Sequence, residues 1–591
     1  MPQDNVRNRT FQEIFEGDVR YEIPFFQRGY AWEKKQWDQL FEDISEEILP
    51  DLDDGSSVEE AEHFFGPIVV LEKAFSEGEG RHFVVIDGQQ RITTVYLLLA
   101  HIMQRLERLQ HKAGDALGFA LQLRTLLTNT QTSDDDYQRL KLLSTKGDRL
   151  PTYRAVFGSE HNPVSPHYLT DVQIYRPGHN QVDEFTTYVE RKFKHQFNDV
   201  PSLWQLATVL LKSLKVVWIP LDDRKDDPQA IFESLNDKGM PLSASELICS
   251  HLFRPLQGVS DFEQLHNMHW LQAIRLFPKR EQFEEYLRNL FSIGEKKMVG
   301  KHRKIYVYFK NKYRHLNATS ARHRLSEIHE CAKLYGYVVN PEEKMHPDPA
   351  IRKVLGAISH TRMDSCTPFV LGLLRTHAQG SLQTAQALAL LNELLTLLVR
   401  RKMTEQPTTM YDTMFPRLFG LVANEPDPVK ALQEQFRRNG VWVSDQEFEE
   451  ALVHRTLYRS RDLAFTRMVL AEIDRKLQTH GQFPDYSTTN TIEHIIPQSL
   501  DDHWQAYLGD DVNDQRLDTY VNSIGNLCLL SAPANSHAGQ NPFVSKIESY
   551  SDVTALVREL KAHDSTWNLE AVRERSRRLA ATALITWSWT I

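Results

Sequence analysis

The sequence predicts an α+β multidomain chain: an α/β N-terminal part, a helical middle, and a mainly helical C-terminal part carrying a small β-containing insert. Three observations carry this. Ile68–Leu71, Phe83–Ile86 and Val216–Ile219 are short apolar runs of the kind that form buried strands. From about Ser243 onward the apolar residues recur at helical spacing. The strand signal then returns only near Thr491–Ile496 and Leu527–Leu530. A chain of 591 residues suits two to four domains, expected at 1–255, 256–440 and 441–591.

The elements follow in order. Pro50–Glu62 is acidic and turn-rich, and Gly158–Asn180 reads as irregular. Ile92–Leu109 carries a helical pattern, and Pro220 is expected to end the strand at Val216–Ile219. Ser243 and Glu246 have capping-box spacing ahead of Leu247. Ile351–Leu374, Leu382–Lys402 and Leu457–Leu477 read as helices. The longest apolar stretch, Ala387–Val399, is interrupted by Asn392 and Glu393 and is too short to span a membrane. Met1–Thr10 is polar, so no secretory signal is expected. Cys249, Cys331, Cys366 and Cys528 are scattered without a CxxC, which argues against a disulfide framework or a zinc knuckle and favours a reducing cytoplasm. The net charge of -10 weighs against tight non-specific DNA binding, but charge can be segregated into one groove.

Two stretches near the N-terminus hold chemistry. In Val84–Thr94 a strand runs through Asp87-Gly88-Gln89-Gln90-Arg91 into a helix. Free N–H groups at a helix start suit a phosphate. Gly88 permits close approach, Arg91 offers a two-pronged fork, and Asp87 suits a magnesium ion or a water. No GxxxxGK[ST] is present, which excludes a P-loop. The same residues also suit a plain turn with Arg91 in a salt bridge. Upstream, Ile23–Trp32 gathers aromatics with Gln27, Arg28 and Tyr30, a set that suits base stacking or a hydrophobic anchor. A third stretch, Ile231–Gly239, sets Asn236 and Lys238 in a loop before a capping glycine.

IPFFQRGYAW, VIDGQQRITT and IFESLNDKGMPLSASEL, in this order over roughly residues 8–255, resemble the DUF262 domain, the GmrS part of GmrSD modification-dependent restriction enzymes. The resemblance implies a ParB-like fold and NTP binding and hydrolysis (ATP or GTP) at Asp87, Gly88, Gln89, Gln90, Arg91 and Thr93, with Gln27, Arg28 and Tyr30 nearby.

At the C-terminal end, Glu493 and His494 are adjacent at the end of an apolar strand, followed by Asn526 and Asn535. Metal-assisted phosphodiester cleavage needs a base for water, a divalent ion for the developing charge, and a brace that holds the base. Imidazole is the natural base, and acid and amide oxygens are natural ligands for a hard ion. EHIIPQ, then NSIGNLCLL, then Asn535 and Lys546, resemble the DUF1524 (GmrD-like) branch of HNH, or ββα-metal, nucleases over roughly 440–591. The resemblance implies His494 as general base, Asn526 as the residue bracing its loop, and Glu493 and Asn535 as ligands of Mg2+ or Mn2+, with His537 as an alternative third ligand.

Lys296–Arg314 interleaves eight Lys/Arg with Tyr and Phe, and either lines a DNA groove or forms a solvated helix face. Arg573, Arg575, Arg577 and Arg578 form a second basic cluster. Lys301, Arg303, Lys304, Lys546 and Arg577 are the candidate DNA contacts. The resulting expectation is an NTP-dependent type IV restriction endonuclease that cleaves phage DNA with methylated, hydroxymethylated or glucosylated cytosine, as a homodimer if both strands are cut. The alternatives are a phosphorothioation-sensing NTPase/nickase and a nucleotide-switched DNA-binding protein with an idle nuclease fold.

Overall fold

The computed structural model describes residues 6–24, 27–50, 58, 61–73, 80–111, 115–129, 139–158, 180–221, 243–256, 259–478, 484–487, 489, 491–550, 554–562 and 566–590. The chain divides into two compact units, Met1–Gln257 and Gly258–Ile591. The third N-terminal stretch, Ile231–Gly239, lies outside the described residues, as do Phe25 and Phe26.

The first unit is built on a mixed six-stranded sheet, order β1-β6-β3-β4-β2-β5. Its strands are β1 (Arg7–Thr10), β2 (Val19–Glu22), β3 (His63–Glu72), β4 (Arg81–Asp87), β5 (Leu142–Leu143) and β6 (Leu214–Leu221). β3 and β4 pair antiparallel, while β3 and β6 run parallel. The apolar runs at Ile68, Phe83 and Val216 thus form three neighbouring strands. Contrary to expectation, β6 runs through Pro220 to Leu221. Its neighbour β1 reaches only as far as Trp218, so on that side Pro220 has no ladder partner to which an N–H would donate. Helix α1 (Lys34–Asp43) and helix α2 (Gln89–Leu109) contribute to the core, and α2 is buried along nearly all of its length. Helix α3 (Gln181–His195) turns Phe185, Tyr188 and Val189 into the same core and leaves its Lys-rich last turn outside.

The second unit is mainly helical. One apolar core runs from Val338 to Trp587, with no break at residue 440. Helix α4 (Thr384–Met403) lies within it, close to the range expected. The expected single helix over Ile351–Leu374 is two, Pro349–His360 and Thr367–Ala378. Arg362 adopts φ 56 between them and Pro368 opens the second, so the helical ladder cannot continue. Helix α5 starts at Leu463 rather than Leu457 and ends at Leu477. The six residues before it are held elsewhere: the Leu457 and Tyr458 amides both donate to the Asn522 carbonyl. Strands β7 (Thr491–His494) and β8 (Leu527–Leu530) pair antiparallel, with helix α6 (Ala532–Ala538) directly after them. Helices α7 (Phe543–Ser549) and α8 (Leu569–Thr586) follow. No helix among the described residues is long and apolar enough to cross a membrane, and the four cysteines are buried and free.

Candidate active site

Strand β7 delivers Glu493 and His494 opposite Cys528 and Leu527 of β8. Glu493 is almost fully buried, and its Oε1 accepts from Lys546 Nζ at 2.7 Å and from the Tyr550 hydroxyl at 2.8 Å. Lys546 Nζ also donates to the His494 carbonyl at 2.8 Å. Burial raises the Glu493 carboxyl above its ordinary range, while the Lys546 ammonium and the Tyr550 hydroxyl pull it back. The His494 backbone N–H also acts on this carboxylate, and among the described residues no side chain other than Lys546 and Tyr550 hydrogen-bonds to it. Lys546, expected to touch DNA, is itself wholly buried on α7 and serves this carboxylate instead.

His494 is oriented by a residue that the motif reading passed over. Its Nε2 lies 3.2 Å from Asn522 Oδ1. The Asn522 amide has one orientation, because its Nδ2 donates to the Asp518 carbonyl and carboxylate at 3.0 and 3.1 Å. Gln498 Nε2 donates to the same Oδ1 at 3.1 Å. His494 Nε2 is therefore the donor, and the lone pair sits on Nδ1. Nδ1 has no partner among the described residues. The Tyr458 ring packs edge-on at 4.5 Å. Burial lowers the imidazole to about 4; the Asn522 hydrogen bond opposes that and the Lys546 charge adds to it. The ring is neutral near pH 7, as a base must be.

Asn526 is buried, and both ends of its side-chain amide are committed to local partners. Its Oδ1 accepts from Ile496 N at 2.8 Å and from Trp567 Nε1 at 3.3 Å. Its Nδ2 donates to the carbonyls of Ile496 and Val521 at 2.9 and 2.8 Å. The loop leaving β7 is thereby fixed. Beside it, a Cβ on Gly525 would meet the Val572 carbonyl at 2.1 Å, so α8 packs directly on glycine backbone. On α6, Asn535 Nδ2 donates to the Ile492 carbonyl at 3.1 Å, and Oδ1 has no hydrogen-bond partner among the described residues. His537 on the same helix is exposed. No group of three His, Cys, Asp or Glu side chains suited to a metal occurs among the described residues. Glu493 and Asn535 offer a carboxylate oxygen and an amide oxygen, the donor types that a hard divalent cation takes.

The basic segments divide. Arg575 is buried and donates to the carbonyls of Gly525, Leu527 and Leu556, so it is structural rather than part of a DNA-facing cluster. Arg577 and Arg573 lie beside Glu570, and Arg578 beside Glu559. In the helix Arg303–Lys312, Ile305, Tyr306 and Phe309 are buried, while Lys301, Arg303 and Lys304 are exposed on and just before it.

In the first unit, β4 ends on Asp87 and Gly88 turns the chain at φ 86 into α2. A Cβ on Gly88 would meet the Pro67 carbonyl at 2.8 Å. The Arg91 guanidinium lies against Gly66 and donates to Pro67 O at 3.1 Å. Burial raises the Asp87 carboxyl, opposed by Arg91, the Gly88 amide and Arg28. Gln27 Nε2 donates to the carbonyls of Val85 and Ile86 at 3.0 and 3.2 Å, which fixes its Oε1 as a buried acceptor with no partner among the described residues. Gln89 Oε1 is likewise buried and without a partner among the described residues. Asp87, Gly88, Gln89, Arg91, Gln27 and Arg28 thus gather around this turn. Gln90 and Tyr30 serve the scaffold instead. Gln90 accepts from Ala31 N at 2.7 Å and donates to Gly29 O at 3.1 Å. Tyr30 is buried between Thr94 and Trp37, and Thr93 is buried beneath the turn.

Comparison with protein families matches residues 10–253 to the N-terminal domain of GmrSD restriction endonucleases and residues 442–582 to the C-terminal domain of GmrSD restriction endonucleases. No curated protein matches the chain.

Proposed function

From the premise that this chain belongs to the GmrSD restriction endonucleases and is a GmrSD-like type IV enzyme, we propose that it cleaves DNA carrying modified cytosine by an HNH mechanism under NTP control. The observation that carries the mechanism is the pair of held side chains on β7: Glu493, fixed through Oε1 by Lys546 and Tyr550, and His494, fixed through Nε2 by Asn522. His494 Nδ1 takes the proton from the attacking water. Asn522 keeps Nε2 protonated and the ring in place, and Asn526 holds the loop that follows. Glu493 and Asn535 would hold Mg2+ or Mn2+, which supplies positive charge for the pentacovalent phosphate and the leaving oxygen. The order β7, β8, α6 supports the ββα-metal reading.

The Asp87–Arg91 turn is the proposed site for ATP or GTP. Arg91 and the α2 N-terminus suit phosphate oxygens, whereas the Gln27 Oε1 acceptor suits a hydrogen-bond donor such as a ribose hydroxyl, a base amino group or a hydrated cation. A ParB-like ancestry of this unit belongs to the same proposal. A homodimer follows if both strands are cut, since one such site cuts one strand.

His494→Ala separates the two activities. Metal-dependent cutting of modified DNA is expected to vanish while NTP hydrolysis persists. Cutting that survives the substitution removes His494 from the mechanism.

A further inference from the structure

A second group of cations in the first unit lies away from the Asp87–Arg91 turn. A cavity of about 220 Å³ is bounded by α2 and α3, with Arg105, Arg108, Lys194, His101, Glu190 and Phe193 on its walls. Arg105 follows Gln89 by 16 residues on one helix, a rise of about 24 Å, so this cavity is not an extension of the turn.

Its cations outnumber its anions three to one. Arg105, Arg108 and Lys194 form no ion pair among the described residues, and Glu190 is the one carboxylate on the walls. Arg105 Nε is buried and has no acceptor among the described residues. Gln104, also on the wall, turns its amide nitrogen to the Arg154 and Ala155 carbonyls at 3.0 and 2.8 Å. His101 holds Thr186 Oγ1 at 3.0 Å, and burial, reinforced by the Arg108 charge, lowers its imidazole to about 4. The ring therefore adds no charge near pH 7. A buried guanidinium N–H without an acceptor is costly. Three unpaired cations around a concave wall, in a chain of net charge -10, concentrate positive potential at one place.

We propose that this cavity binds a phosphate group, with Arg105 and Lys194 as its principal charged contacts and Phe193 as its apolar wall. The phosphate comes either from a free phosphorylated molecule or from a DNA strand; both present the same oxygens to the same donors.

The test is calorimetric titration of the full chain with inorganic phosphate, with pyrophosphate and with a short DNA duplex, at low and moderate salt. Arg105→Gln and Lys194→Gln are each expected to weaken binding of at least one probe by about tenfold. Loss confined to phosphate and pyrophosphate identifies a free ligand; loss confined to the duplex identifies a strand phosphate. Phosphate bound at the Asp87–Arg91 turn is a separate share of the signal: Arg91→Gln removes that share and retains the share lost in Arg105→Gln and Lys194→Gln. Lys194 is exposed, so its variant reports even if Arg105→Gln folds poorly. Unchanged binding in Lys194→Gln and in any folded Arg105→Gln, or loss of all phosphate binding in Arg91→Gln alone, overturns the proposal. The readout is binding, so the result stands whether or not the nuclease mechanism does.

Discussion

Replacing Lys546 with methionine distinguishes a buried structural charge from a DNA contact. The ammonium is fully buried, and its partner Glu493 shows only 5% of its side chain to solvent. Two hydrogen bonds, to Glu493 Oε1 at 2.7 Å and to the His494 carbonyl at 2.8 Å, disappear together. The carboxylate keeps Tyr550 but loses its counter-charge, and burial then pushes its pKa higher still. Breaking a buried pair from one side costs about 3–5 kcal/mol, whereas removing an exposed cation costs less than about 0.5 kcal/mol. Trp504 has Lys546 Nζ 6.0 Å from its ring, so its fluorescence follows unfolding of this region in urea. The expected result is a stability loss of about 3 kcal/mol or more in the second unit. The double variant Glu493→Gln with Lys546→Met should lose less than the sum of the two singles, because the partners are coupled. A loss under about 1 kcal/mol, or strict additivity, would refute the buried-pair account.

Three further substitutions probe other parts of the structure. Asn522→Leu removes the acceptor at His494 Nε2 and should lower cutting about 10- to 100-fold; nitrogen-15 spectra of the imidazole should show the Nε2–H tautomer losing its dominance, and an unchanged tautomer with normal cutting contradicts the role given to Asn522. Gln90→Leu strands the Ala31 amide and the Gly29 carbonyl and should destabilise the first unit by about 2 kcal/mol in urea, whereas a pure ligand contact would leave stability intact. His101 has a folded pKa of about 4, below the 6.5 of the unfolded chain, so the unfolded state binds more protons between these values and stability falls as pH drops through that window. Going from pH 7 to pH 5 should therefore cost the native protein about 2 kcal/mol more than it costs His101→Gln, measured by paired urea titrations.

The strand cores at Ile68, Phe83 and Val216 were legible because a continuous apolar run of that length has few other uses. Glu493, His494 and Asn526 could be singled out because metal-assisted hydrolysis restricts residue type and spacing, and the structure ties Asn526 by hydrogen bonds to Ile496 on the loop leaving β7. Lys546 and Arg575 were misread for one reason: a basic residue in sequence carries no sign of its burial, and both fill interior positions where carbonyls or a carboxylate converge. Asn522 was missed although it stands four residues before Asn526, because its role depends on Asp518 fixing its amide, which spacing alone does not show. The break at Arg362 was hidden by an apolar pattern that continues in phase on both sides.

The most direct test of the nuclease reading is Mg2+-dependent cutting of matched DNA substrates with plain, glucosylated or hydroxymethylated cytosine, or with phosphorothioate linkages, with and without ATP or GTP. The account predicts cutting of the modified-cytosine DNA, dependence on NTP, and loss of all cutting in His494→Ala. Selective cutting linked to phosphorothioate would keep the nuclease and replace the modification it answers to. No metal-dependent cutting of any substrate, or cutting indifferent to His494, would contradict it.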